Sequence, residues 1–125
     1  MSPQQYANQG IVTGAMLQSG LFAPVGIMNL YQFRSGGALD AQYQGGIENY
    51  AYTAYANYAY GVYLAAAGLT LDEALTAAGA YGGGRYGPDG PSSPDPNYPS
   101  LPMANVQNIT QGYLDYYRGT LCTPQ

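Results

Sequence analysis

The sequence contains no histidine, no lysine and no tryptophan, one cysteine, and few charges of either sign. Each absence removes a class of chemistry. Without histidine there is no imidazole to act as a general base near neutral pH, and the commonest zinc ligand is missing. A single cysteine, Cys122, excludes an internal disulfide and a thiolate metal cluster, and with no histidine to activate it the thiol reads as incidental. The only cations are Arg34, Arg85 and Arg118, against seven acids and a net charge of −4. Nucleic-acid binders draw most of their affinity from neutralising several phosphates, so this balance speaks against a nucleic-acid partner without excluding one. No apolar run reaches the roughly 18 residues that cross a bilayer, and the first residues carry neither the basic cluster nor the apolar stretch of a signal peptide. The residues imply no metal and no cofactor.

What is present is apolar and aromatic. Of 125 residues, 46% are hydrophobic and 15 are tyrosines, enough for a single globular domain over 1–125 with a core of its own. Tyrosine buries a ring while keeping its hydroxyl hydrated, and it stacks on flat ligand faces.

The expected architecture is mainly α: a compact bundle of about five helices, with a long Pro/Gly-rich loop before the last. Residues 4–19 place Tyr6, Ile11, Met16 and Leu17 at loose helical spacing, weakened by Gly10 and Gly14. A second helix is predicted from Pro24 to Arg34, stopped by Ser35-Gly36-Gly37. A loop through Gly45-Gly46 leads to IENYAYTAYANYAYGVYLAAA, residues 47–67. Its Tyr/Ala alternation suits a strand, yet its alanine content and length favour a helix, closed by Gly68. Thr70 with Glu73 is a capping box, with Leu69 placed to staple onto Ala74, and predicts a helix to about Ala80. Residues 83–103 hold most of the prolines and read as an irregular loop. A last helix is predicted over Ala104–Arg118, closed by Gly119.

Candidate chemistry rests on few groups. Asp40 on a loop and Glu48 at the expected start of the tyrosine helix offer the two carboxylates of glycoside hydrolysis. The plainer assignment gives Glu48 to the helix dipole and Asp40 to a turn. Asn57 is a poor helix-interior residue, which points either to a specific hydrogen bond or to a site. Tyr52, Tyr55 and Tyr63 fit a core face, whereas Tyr50, Tyr58 and Tyr60 either line a groove or join that core. Asp72 and Glu73 belong to a helix first turn and are assigned to capping. The candidate catalytic pair is therefore Asp40 and Glu48. Asn57, Tyr50, Tyr58, Tyr60 and Arg85 form the candidate substrate-binding set.

The segments FRSGGALDAQ, YTAYANYAYGVYLAAAGLTLDEALTAAGAYG and NITQGYLDYY resemble the polymorphic toxin type 44 domain over roughly residues 30–117. The matching positions are Gly36, Gly37, Asp40, Asn57, Tyr60, Gly61, Ile109, Gly112 and Tyr113. The chain departs from the family pattern in Leu39-Asp40-Ala41-Gln42, which lacks a lysine, and at Thr53 and Ala54, where relatives often carry acids. The resemblance implies a hydrolytic toxin module of a larger exported protein, secreted or delivered into a competing bacterium, with an immunity protein as its partner. A polymeric substrate follows, cell-wall glycan being favoured by the acidic, aromatic, histidine-free composition. A nuclease toxin is the alternative on class. A binding or assembly module that kept the fold and lost the chemistry is the alternative suggested by the missing lysine and acids.

Overall fold

A computed structural model describes residues 1–20, 43–44, 47–48, 53–80, 94–99 and 101–121. Within them the chain is mainly helical: α1 (Pro3–Gln18), α2 (Thr53–Ala66), α3 (Leu71–Ala80) and α4 (Met103–Arg118), with a short antiparallel pair of β1 (Tyr43–Gln44) and β2 (Ile47–Glu48). The predicted helix over Pro24–Arg34 lies outside the described residues.

α1 starts on a capping box. The Ser2 hydroxyl accepts from the Gln5 backbone N–H at 3.2 Å, and the Gln5 side chain accepts from the Ser2 N–H at 2.7 Å. Pro3, at the first helical position, needs no N–H there. Its buried face is Pro3, Tyr6, Ala7, Gly10, Thr13 and Gly14, a strict three-and-four spacing. Of the apolar residues expected on this face Tyr6 is buried, whereas Ile11 is half exposed. Small residues win because α2 approaches closely: a Cβ on Gly10 would meet the Tyr63 carbonyl oxygen, and one on Gly14 that of Ala67.

α2 is the centre of the molecule. Every residue from Asn57 to Ala65 is buried, so the helix is covered on all sides. That explains the Tyr/Ala alternation without a strand, since a helix buried all round needs no polar face. On the side away from α1 it crosses α4 at Gly61 and Gly112. A Cβ on Gly61 would meet the Ile109 carbonyl oxygen, and one on Gly112 that of Tyr58. α2 begins at Thr53, not at Ile47. Tyr43 pairs with Glu48 and Gln44 with Ile47, across a Gly45-Gly46 link that suits a two-residue hairpin.

Gly68 (φ +89°) ends α2 in the left-handed region that favours glycine. The predicted capping box of α3 is present: Glu73 N–H donates to the Thr70 hydroxyl at 3.1 Å, and Thr70 N–H donates to the Glu73 carboxylate at 2.9 Å. Ala74, Leu75 and Ala78 join the same core as Tyr6, Leu64, Leu101 and Ile109, and Leu69 packs against it.

The described part of the Pro-rich segment is closed on itself. Pro94 bridges Pro102, and the Asp95 N–H donates to the Leu101 carbonyl at 2.9 Å. The Asp95 carboxylate accepts the N–H groups of Asn97 and Tyr98, and the Tyr98 hydroxyl donates to Asp72 at 2.6 Å. α4 then starts at Met103 and ends on Gly119 (φ +70°).

Candidate functional site

Two helix faces contribute the most concentrated polar chemistry. Asp115, on the buried face of α4, is 7% exposed. Its Oδ2 accepts the Tyr58 hydroxyl of α2 at 2.8 Å, while Oδ1 accepts Gln111 Nε2 at 2.7 Å and the Thr120 hydroxyl at 3.2 Å. All three donors are neutral. An acid in the last turns of a helix faces the negative end of the dipole, so these donors are what hold it there. Charge-assisted bonds of this kind are the stronger class, and the arrangement ties the end of α4 to the middle of α2. Sealed in the core, the pair serves as a strut between helices.

The same device recurs along the chain. The Tyr113 hydroxyl donates to the Leu69 carbonyl at 2.7 Å, and Tyr117 to the Ala65 carbonyl at 3.3 Å. The Tyr55 hydroxyl donates to the Met1 carbonyl, and Tyr63 shares a buried hydrogen bond with Thr13. Tyrosine thus spends its polar end on bonds that join separate elements. Burial raises the pKa of Tyr55, and of Tyr63 despite the opposing bond to Thr13. Tyr113 is pushed up to about 12, first by burial and then by its bond and proximity to Tyr117 and by the Glu73 charge. Glu73 is held below its ordinary value chiefly by the Thr70 backbone N–H.

At the C-terminal end of α4 the rings of Tyr113 and Tyr117 lie 5.2 Å apart at 52°, and those of Tyr116 and Tyr117 lie 5.4 Å apart, edge to face. Tyr117 is 59% exposed and is the most open large hydrophobic side chain among the described residues.

The sequence-derived candidates fall in three places. Asp40, Tyr50 and Arg85 lie outside the described residues. Glu48 lies in β2, which corrects its placement at the start of the tyrosine helix: its backbone is paired antiparallel with Tyr43 and so is extended. Asn57, Tyr58 and Tyr60 lie together on the buried stretch of α2 as core residues, the second of the two settings open to the tyrosines. Asn57 and Tyr60 each have interactions of their own, as does Asn105 on α4. Asp115 escaped sequence reasoning. Its signal was an acid in the buried phase of α4, in register with Asn105, Ile109 and Gly112. Among the described residues no group of three acids or cysteines is placed to hold a metal ion, and no helix is long and apolar enough to cross a membrane.

No family model, curated protein or solved structure matches the chain.

Proposed function

We propose that this chain is a toxin-like effector domain, a five-helix bundle that hydrolyses cell-wall glycan with Asp40 and Glu48 as its carboxylate pair. The observation that carries the reading is the β1–β2 hairpin. Glu48 pairs with Tyr43, and only three residues of chain lead from Tyr43 back to Asp40. A paired step of about 5 Å and three extended residues of about 3.5 Å each keep the two backbones within roughly 16 Å. That bound is compatible with the carboxyl separations of roughly 5–9.5 Å found in glycosidases. In this reading one acid protonates the leaving oxygen, while the other attacks the sugar or activates water. Delivery as part of a larger exported protein and neutralisation by an immunity protein complete the proposal, both on the strength of the type 44 resemblance.

Incubation with purified peptidoglycan tests it. Soluble fragments should appear with the parent protein and be lost in Glu48→Gln and Asp40→Asn. No release by the parent sinks the proposal, as would toxicity confined to the cytoplasm with degradation of RNA or DNA.

A second reading has an observation of its own. Burial of Asn57, Tyr58 and Tyr60 in the core favours a non-catalytic binding or assembly module. Absence of a growth defect in cytoplasm and periplasm alike, with tight binding to a partner protein, would favour that module.

A further inference from the structure

We propose that Tyr58 is a redox-active tyrosine: with Asp115 as its proton acceptor, it holds an oxidising equivalent delivered by a high-potential one-electron oxidant at the protein surface. This chemistry is independent of the glycan reading above.

A phenol gives up an electron readily only when its proton leaves at the same time. The group that accepts the hydroxyl bond therefore decides which tyrosine is oxidised. The Tyr113, Tyr117 and Tyr55 hydroxyls donate to the backbone carbonyls of Leu69, Ala65 and Met1, and Tyr63 shares its bond with the Thr13 hydroxyl. Carbonyl and hydroxyl oxygens accept a hydrogen bond but do not keep the proton. A carboxylate does. The Tyr58 hydroxyl donates to Asp115 Oδ2 at 2.8 Å, while Gln111 Nε2 and the Thr120 hydroxyl occupy Oδ1.

Burial sharpens the choice. Tyr58 and Asp115 are both buried. When Tyr58 loses an electron to the oxidant, its O–H bond breaks and the proton moves onto Asp115 Oδ2. A neutral phenol and a carboxylate become a neutral phenoxyl radical and a neutral carboxylic acid. One buried charge disappears, and a low-dielectric interior favours that direction. The same loss at Tyr63, equally buried but bonded to a hydroxyl, would leave a radical cation in the core. Tyr98 also has a carboxylate partner, Asp72 at 2.6 Å, but Asp72 is exposed and its charge is already solvated, so nothing comparable is gained there.

The end of α4 provides an entry point. Tyr117 is exposed and lies two residues beyond Asp115, with its ring 5.2 Å from that of Tyr113 and 5.4 Å from that of Tyr116. An oxidant at the surface meets this ring first, and the oxidising equivalent passes inward to the pair that disposes of its proton internally.

The test uses the whole chain and photogenerated tris(bipyridine)ruthenium(III) as the oxidant. Electron paramagnetic resonance should show a neutral tyrosyl radical that persists after the flash. Infrared difference spectra of the same sample should show a carboxylate band lost and a protonated carboxyl band gained. Tyr58→Phe should lose the long-lived radical. Asp115→Asn should lose it too, because the amide oxygen still accepts the hydroxyl bond but does not take the proton. Tyr98→Phe should keep it. Absence of a long-lived radical in the parent overturns the proposal, as does a parent radical without carboxyl protonation; neither outcome depends on a variant folding. Survival of the radical in Tyr58→Phe or in Asp115→Asn overturns it as well, and so does its loss in Tyr98→Phe.

Discussion

Gly61 and Gly112 are reciprocal partners: each lies where its Cβ would strike a backbone carbonyl of the other's helix, that of Ile109 for Gly61 and that of Tyr58 for Gly112. The carbonyl that blocks each glycine belongs to the residue three positions before the opposite glycine. The two helices therefore meet backbone to backbone, with the Tyr58–Asp115 bond alongside.

Alanine at either position should be destabilising despite its higher helix propensity. The propensity gain is about 1 kcal/mol, whereas forcing a methyl group against main chain costs up to about 3 kcal/mol or more. A net loss of about 2 kcal/mol is expected for Gly61→Ala and for Gly112→Ala, read as a lower urea midpoint at unchanged slope. The double variant should lose less than the sum, because the first methyl already parts the helices. Gly20→Ala is the control, with nothing near its Cβ position and a change within about 0.5 kcal/mol.

Asp115 and Tyr58 should be energetically coupled. Tyr58→Phe removes one donor from a carboxylate that retains two, and should cost about 1 kcal/mol. Asp115→Ala removes the acceptor of a buried hydroxyl and two further bonds, and should cost about 2–3 kcal/mol. In a double-mutant cycle the pair should show a coupling of about 1 kcal/mol, and strict additivity would contradict the strut.

The α3 cap makes an acid-side prediction. Because Glu73 has a depressed folded pKa, it stabilises the fold above its unfolded value, and that contribution disappears as pH falls through the folded value. Thermal melts from pH 6 down to pH 3 should therefore show a steeper loss in the parent than in Glu73→Gln below the ordinary carboxyl value of 4.5. Thr70→Ala removes the reciprocal bond and should cost about 1 kcal/mol at neutral pH.

Local signals in this chain read well, and close approach between helices did not. Thr70/Glu73, Gly68 and Gly119 act through their own neighbours, so the ends of α2, α3 and α4 were visible in the sequence. Ser2/Gln5 is the same kind of signal, although the α1 cap was not anticipated. Gly10 and Gly14 looked like weak points because propensity counts only what a glycine costs its own helix. Their role depends on Tyr63 and Ala67, about fifty residues away, and no periodicity within α1 reveals it. Ile47 and Glu48 read as the start of the Ala/Tyr helix, yet a Gly-Gly pair between Tyr43-Gln44 and Ile47-Glu48 is a hairpin signal that outweighed composition. Of the candidate site residues, Glu48 was assigned to a helix start and lies instead in a strand. Asp115 was passed over because an acid in a polar-looking segment announces its burial only when the opposite helix is in place.

The two crossings of α2 also bear on how fast the chain reaches its fold. Thr13 and Tyr63 are 50 residues apart in sequence, and Tyr58 and Asp115 are 57 apart. Neither contact can form until a long stretch of chain has closed, and that entropic cost falls before any of the glycine-mediated packing can offset it. The protein should consequently refold more slowly than an up-and-down bundle of equal length, whose helices meet through short turns.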